Sequence, residues 1–174
     1  MNLQSTDFEL FELPERFAQD RAVVDARWKE LQRQAHPDKF VAQGAPAQRL
    51  AMQWSVRINE AYARLKDPLK RAAYLCELHG APILAESNTA MPAAFLMQQM
   101  QWREALEEAA DGQHLESLHD EVMQARRDAL TQCERLLDQA QDHAAAAQQV
   151  RALMFIDRFA REVHQRLDQI ADHG

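Results

Sequence analysis

His36, Pro37 and Asp38 place an imidazole and a carboxylate on either side of a rigid ring. Such a pair could transfer protons, hold a metal or offer polar contacts to a partner. Metal chemistry is poorly served, because structural zinc needs four ligands and the tripeptide supplies two. His79, His114, His119, His143 and His164 lie on other segments. Nucleophilic catalysis lacks its parts: there is no G-x-S-x-G, and neither Cys76 nor Cys133 has a matched His/Asn context. With four glycines in the chain there is no phosphate-cradling loop. An exposed connection also gives His36 little of the enclosure that tunes an acid–base group. A metal and a cofactor are therefore expected to be none, while an acid–base role for His36 and Asp38 in a small helical enzyme stays open at this point. Two further readings stand beside it: a helix end stopped by Pro37, and a docking tip whose shape Pro37 pre-organises.

The flanking segments must position that tip. Before it, "DRAVVDARWKELQRQA" carries Val24, Trp28, Leu31 and Ala35 at helical spacing, with Asp20 as N-cap. Pro37 disfavours the helical conformation at His36 and ends the helix. After a loop, "VAQGAP", with Pro46 in a first turn, a second helix carries Leu50, Trp54, Ile58, Ala61 and Leu65. The two stripes predict an antiparallel helical hairpin with His36–Ala45 at its end. A short helical turn over Leu3–Leu13 precedes it. A helix opened by Asp67 and Pro68 and stopped by Gly80 follows.

Residues 81–92 break the periodicity and are expected to link residues 1–80 to residues 93–174. Beyond the break, three amphipathic stretches predict a three-helix bundle, over about Ala93–Ala110, Leu115–Ala140 and His143–Ala171. The second presents Leu115, Leu118, Val122, Ala129, Cys133 and Leu136. The third presents Val150, Leu153, Ile156, Ala160, Val163, Leu167 and Ile170. Period-two alternation is missing throughout, so the fold class is all-α.

Charge narrows the partners. Residues 1–78 hold 12 Lys+Arg against 11 Asp+Glu, whereas residues 79–174 hold 8 against 16, and the chain carries −7. Nucleic acid is a poor match without a basic stripe. No apolar run reaches the roughly 18 residues of a membrane span. The N-terminal stretch has the pattern of neither a secretory signal nor a transit peptide, and two distant cysteines fit a reducing compartment. The expectation is a protein of a reducing compartment, such as the cytoplasm, that binds other proteins, with Cys76 and Cys133 filling its core.

A helical hairpin ending in His-Pro-Asp resembles the J-domain of co-chaperones that stimulate DnaK-type ATPase chaperones. "HPDKF" followed by "RINEAYARLKDPLKRAAYLCELHG" and an acidic three-helix tail is similar, over essentially the whole chain, to the HscB family of J-type co-chaperones of iron–sulfur cluster assembly. The resemblance implies a bacterial, cytoplasmic activator of an HscA (DnaK-class) chaperone, with no catalytic residue of its own and with His36, Pro37, Asp38 and Lys39, and the bases Arg27, Lys29 and Arg33, as its contacts. Ala35 stands where the family often has tyrosine. The alternative is a general J-protein delivering unfolded clients, but such proteins usually carry Gly/Phe-rich or Cys-rich segments, which this chain lacks.

In "AFLMQQMQWREALEEA", Phe95, Trp102 and Leu106 share one face suited to the bundle core. Leu96, Met97, Met100, Gln101, Glu104 and Glu108 project elsewhere, and Phe155 lies off the stripe of its helix. On residue types alone, capping the core competes with binding a partner; Met is common on binding surfaces. The resemblance implies that these seven residues hold the iron–sulfur scaffold protein IscU, with Gln101 replacing an acidic residue.

Overall fold

The computed structural model describes residues 2–84 and 90–173, which comprise helices and connections without a strand. Helix α1 spans Asp7–Leu10, α2 Arg21–Ala35, α3 Ala45–Lys66 and α4 Pro68–Leu78. Helix α5 spans Ala93–Glu108, α6 Gly112–Glu134 and α7 His143–His173, with a π-helical turn at Arg135–Gln139 ending α6. The chain forms two compact units, Met1–Leu75 and Cys76–Gly174. Of the segment expected as a linker, residues 85–89 lie outside the described residues. Within it Ile83 is buried in the second unit, and its carbonyl accepts from Arg151 Nε at 3.0 Å.

In the first unit the hairpin forms where the two stripes require it. Asp20 caps α2 by accepting from the Ala22 N–H at 2.9 Å, and Asp67 caps α4 through the Leu69 N–H at 2.9 Å. Val24, Ile58, Ala61 and Leu65 are fully or nearly buried. Beside them runs a polar ladder that apolar periodicity does not reveal. Tyr62 donates to Asp25 at 2.6 Å, Trp28 Nε1 to Asn59 at 3.0 Å, and Gln32 to Asn59 at 2.6 Å, while Ser55 donates back to Gln32 at 3.0 Å. Partners advance along α2 as they retreat along α3, so the ladder sets antiparallel register. Asp7 anchors α1: fully buried, it meets Arg64 at 2.6 and 2.9 Å and Arg57 at 2.8 Å. Its backbone N–H donates to Tyr74 Oη at 3.0 Å. Removing one partner of such a buried pair costs about 3–5 kcal/mol.

Leu50 departs from the expected stripe. It is 51% exposed, and Ala51 takes the buried position. A hollow of about 330 Å³ opens there, lined by Leu31, Ala35, Phe40, Leu50, Ala51 and Trp54 among others. The methyl group of Ala35 is too small to fill it.

In the second unit α6 runs antiparallel to α7: His119 faces His164, and Arg126 Nε bonds Asp157 at 2.8 Å. Helix α5 runs parallel to α7, with Phe95 beside Phe155 and Trp102 beside Phe159. Leu115, Leu118, Val122, Ala129, Cys133, Leu136, Val150, Leu153, Ile156 and Val163 form the core as expected. Three details differ. Phe159, rather than Ala160, is the buried position, because the stripe widens to receive Trp102. Ile170 is 42% exposed. Helix α5 stops at Glu108 and α6 begins earlier, at Gly112, because Asp111 caps it through the His114 N–H at 2.9 Å.

Cys76 and Cys133 are both fully buried and unpaired by a disulfide. Burial pushes their thiols up to about 11 and about 12, which suits core filling.

Candidate functional site

The tip is more ordered than a plain loop. His36 takes the extended conformation that a following proline imposes, with φ −62° and ψ 129°. Its Nδ1 accepts from the Asp38 N–H at 3.2 Å, so the histidine caps the element that follows it. Pro37 sits in the first turn, and Pro37–Gln43 forms a 3-10 helix instead of the expected open loop. Gly44 ends it at φ 95°, a left-handed conformation that favours glycine. An Nδ1 that accepts this hydrogen bond carries its proton on Nε2, leaving a donor for a partner. The Asp38 carboxylate lies 3.6 Å from Nδ1, and its side chain is 88% exposed against 55% for His36. The tripeptide thus exposes an imidazole and a carboxylate on a backbone already shaped by the ring of Pro37.

The basic residues divide. Lys29 and Lys39 are exposed. Arg33 pairs with Glu30, and Arg27 lies 3.4 Å from Glu12. A partner carboxylate would have to compete with these two pairs, which are exposed and weak enough to be exchanged.

The second set of residues comes together on α5. Leu96, Met100, Glu104 and Glu108 recur at intervals of four, with Met97 and Gln101 alongside, and all six are exposed. Met97 and Met100 are 68% and 74% exposed, too open for core residues. The opposite side of the helix buries Trp102 and Leu106. Phe155 on α7 is half-buried, stacked on Phe159 at 5.9 Å and met edge-on by Phe95 at 5.7 Å. It borders a shallow depression of about 430 Å³ shared with Gln99, Met100, Arg103, Glu104 and Glu107. Of the six exposed residues singled out on α5, Met100 and Glu104 share this depression with Phe155, whereas Leu96, Met97, Gln101 and Glu108 do not line it.

Two features escaped sequence reasoning. Arg103 bonds Glu162 with both nitrogens, at 2.6 and 3.1 Å. Its guanidinium also lies over the rings of Phe155 and Phe159, at 5.7 and 5.2 Å. Glu162 is 59 residues away, so no local spacing announces the pair. The histidines, dispersed in sequence, also meet: His79 and His143 stack at 4.1 Å, and His119 lies 6.1 Å from His164. Among the described residues no group of three or more His, Cys, Asp or Glu could hold a metal ion, and no helix is long and apolar enough to cross a membrane.

The family model described as HSCB C-terminal oligomerisation domain matches residues 91–164. The "Co-chaperone protein HscB homolog" of Burkholderia multivorans is 47% identical over 98% of each chain. Among solved structures, chaperone HscB from Vibrio cholerae is 36% identical, with TM-score 0.80 over 95% of this chain and 99% of that one. Human co-chaperone protein HscB superposes with TM-score 0.87 over 95% of this chain and 84% of that one; at 23% identity this is a likeness of fold. With an exposed His-Pro-Asp tip on a helical hairpin, and at this identity and coverage, the chain belongs to the HscB family of J-type co-chaperones of iron–sulfur cluster assembly, which are not enzymes.

Proposed function

We propose that this chain stimulates the ATPase of an HscA-type, DnaK-class chaperone and delivers an IscU-type scaffold protein to it, in the bacterial cytoplasm. Residues 1–80 engage the chaperone and residues 93–174 the scaffold, with residues 81–92 joining the two. The carrying observation is the tip: His36 Nδ1 caps the Asp38 N–H, and the side chains of His36 and Asp38 are both exposed and open to a partner. His36, Pro37, Asp38 and Lys39 form the contact, and Arg27, Lys29 and Arg33 extend it along α2. A charge-assisted hydrogen bond contributes about 1.5–3 kcal/mol. Two such bonds from a preformed turn therefore give useful affinity at low ordering cost. The bond-breaking chemistry belongs to the chaperone.

The α5 face supplies the cargo site. Leu96, Met97, Met100 and Phe155 offer an adaptable apolar patch, and Gln101, Glu104 and Glu108 give it a polar and acidic margin. One ATPase experiment tests both halves. HscA and a general DnaK chaperone are each assayed with this protein, with and without IscU. Synergy confined to HscA plus IscU is the expected result. Equal stimulation of both chaperones, indifferent to IscU, would overturn the reading.

A further inference from the structure

The α5 face straddles two helices. Its row of six side chains belongs to α5, but Phe155 belongs to α7, so its shape depends on how α5 is registered along α7. The packing between these helices here is aromatic: Phe95 on Phe155, and Trp102 on Phe159. Ring stacks tolerate sliding and tilting, because several offset and edge-on geometries are nearly equivalent. The bidentate Arg103–Glu162 pair does not, since a planar fork meets a carboxylate in one orientation. The same guanidinium lies over Phe155 and Phe159, so the ion pair that fixes the helices also holds down the rings. Both partners are about half exposed, 47% and 43% for their side chains, and exposed ion pairs add little to stability. A role in shape fits this position better than a role in holding the fold together.

We propose that Arg103 and Glu162 are positioning residues: their pair sets the register of α5 on α7 and the orientation of Phe155, and so shapes the partner-binding face. The proposal rests on reading that face as the scaffold site. Glu162 is the informative residue because it lies on α7, outside the row. If Arg103 touched the partner itself, freeing it from Glu162 would leave binding unchanged or strengthen it.

The full chain is prepared as Glu162→Gln, Arg103→Gln and the double variant, and titrated calorimetrically with a purified IscU-type scaffold. Each single variant is expected to weaken binding about five-fold, with the double variant no weaker than either, because both remove one device. Wild-type affinity in Glu162→Gln, or additive losses in the double variant, would overturn the proposal. Where Arg103→Gln fails to fold, Arg103→Lys decides by the same measure: it keeps the charge, loses the fork, and is expected to bind about three-fold more weakly, whereas wild-type affinity would overturn the proposal. A readout in the unbound protein keeps the two readings apart. In Glu162→Gln the assigned ring resonances of Phe155 and Phe159 and the Trp102 indole N–H are expected to shift. Unmoved resonances overturn the positioning role. A failure of Leu96→Ala/Phe155→Ala to weaken scaffold binding, with those resonances still shifting in Glu162→Gln, overturns the scaffold reading alone.

Discussion

The His-Pro-Asp tip and the α5 face, the two surfaces proposed to bind partners, are built in different ways. The tip is small and polar and lies within a few consecutive residues, where proline and an internal histidine cap set the backbone. The face is broad and apolar, with an acidic margin, and it is assembled from two helices whose contributing residues are up to 59 positions apart. A local surface can be specified by a motif and needs only a support that holds its base. A composite surface has no motif, and its shape is decided by packing and by cross-helix bonds such as Arg103–Glu162. Damage should therefore be confined at the tip and more diffuse at the face.

Substitutions can break that contrast. The largest effect is expected from Asp38→Asn or His36→Gln. Losing one partner of a desolvated pair costs about 2–5 kcal/mol, so chaperone stimulation should fall to near the unstimulated rate. Circular dichroism and scaffold affinity should be unchanged; loss of scaffold binding as well would dissolve the separation. Next comes Leu96→Ala with Phe155→Ala. Removing anchors of this kind costs about 2 kcal/mol or more, roughly 30-fold in affinity. Calorimetry should show that loss while stimulation of the chaperone without scaffold persists. Loss of both activities would mean misfolding instead.

Smaller effects sharpen the comparison. Asn59→Ala removes the acceptor of Trp28 and Gln32 from the hairpin ladder, at about 1 kcal/mol. Thermal unfolding should report a midpoint lower by roughly 2–8 °C, with scaffold affinity intact. The smallest effect concerns pH. The Arg103 hydrogen bond holds the Glu162 carboxyl below its ordinary 4.5. Its contribution is complete above that value and is lost as pH falls through the depressed one. Phe155 ring resonances should therefore hold constant from neutrality to about pH 4.5 and move only below it. Movement near pH 6 would implicate a histidine instead.

The hairpin and the tip were legible because their determinants are near one another in sequence: apolar stripes of period 3.6, Asp20 and Asp67 as caps, and a proline that forces His36 out of the helix. The exposed row on α5 was legible for the same reason, since Leu96, Met100, Glu104 and Glu108 share a helical spacing. The 3-10 helix at Pro37–Gln43 is not legible in the sequence, because it depends on a ring nitrogen accepting from a backbone N–H two residues on. The spacing of Leu50 predicts a core position. Only the tertiary structure reveals that Ala35 and Phe40 leave a hollow beside it.

By itself, then, the sequence determined that the chain is helical, where its hairpin turns, and which residues share each face of α5. These follow from short-range periodicity, capping and residue chemistry. Three-dimensional packing decided the rest: burial of Asp7 between two arginines, the polar ladder that sets α2 against α3, the choice of Phe159 for the core, and the Arg103–Glu162 bond that frames Phe155. Each joins residues from separate helices, and such pairings depend on how helices settle against one another, which spacing along the chain does not encode.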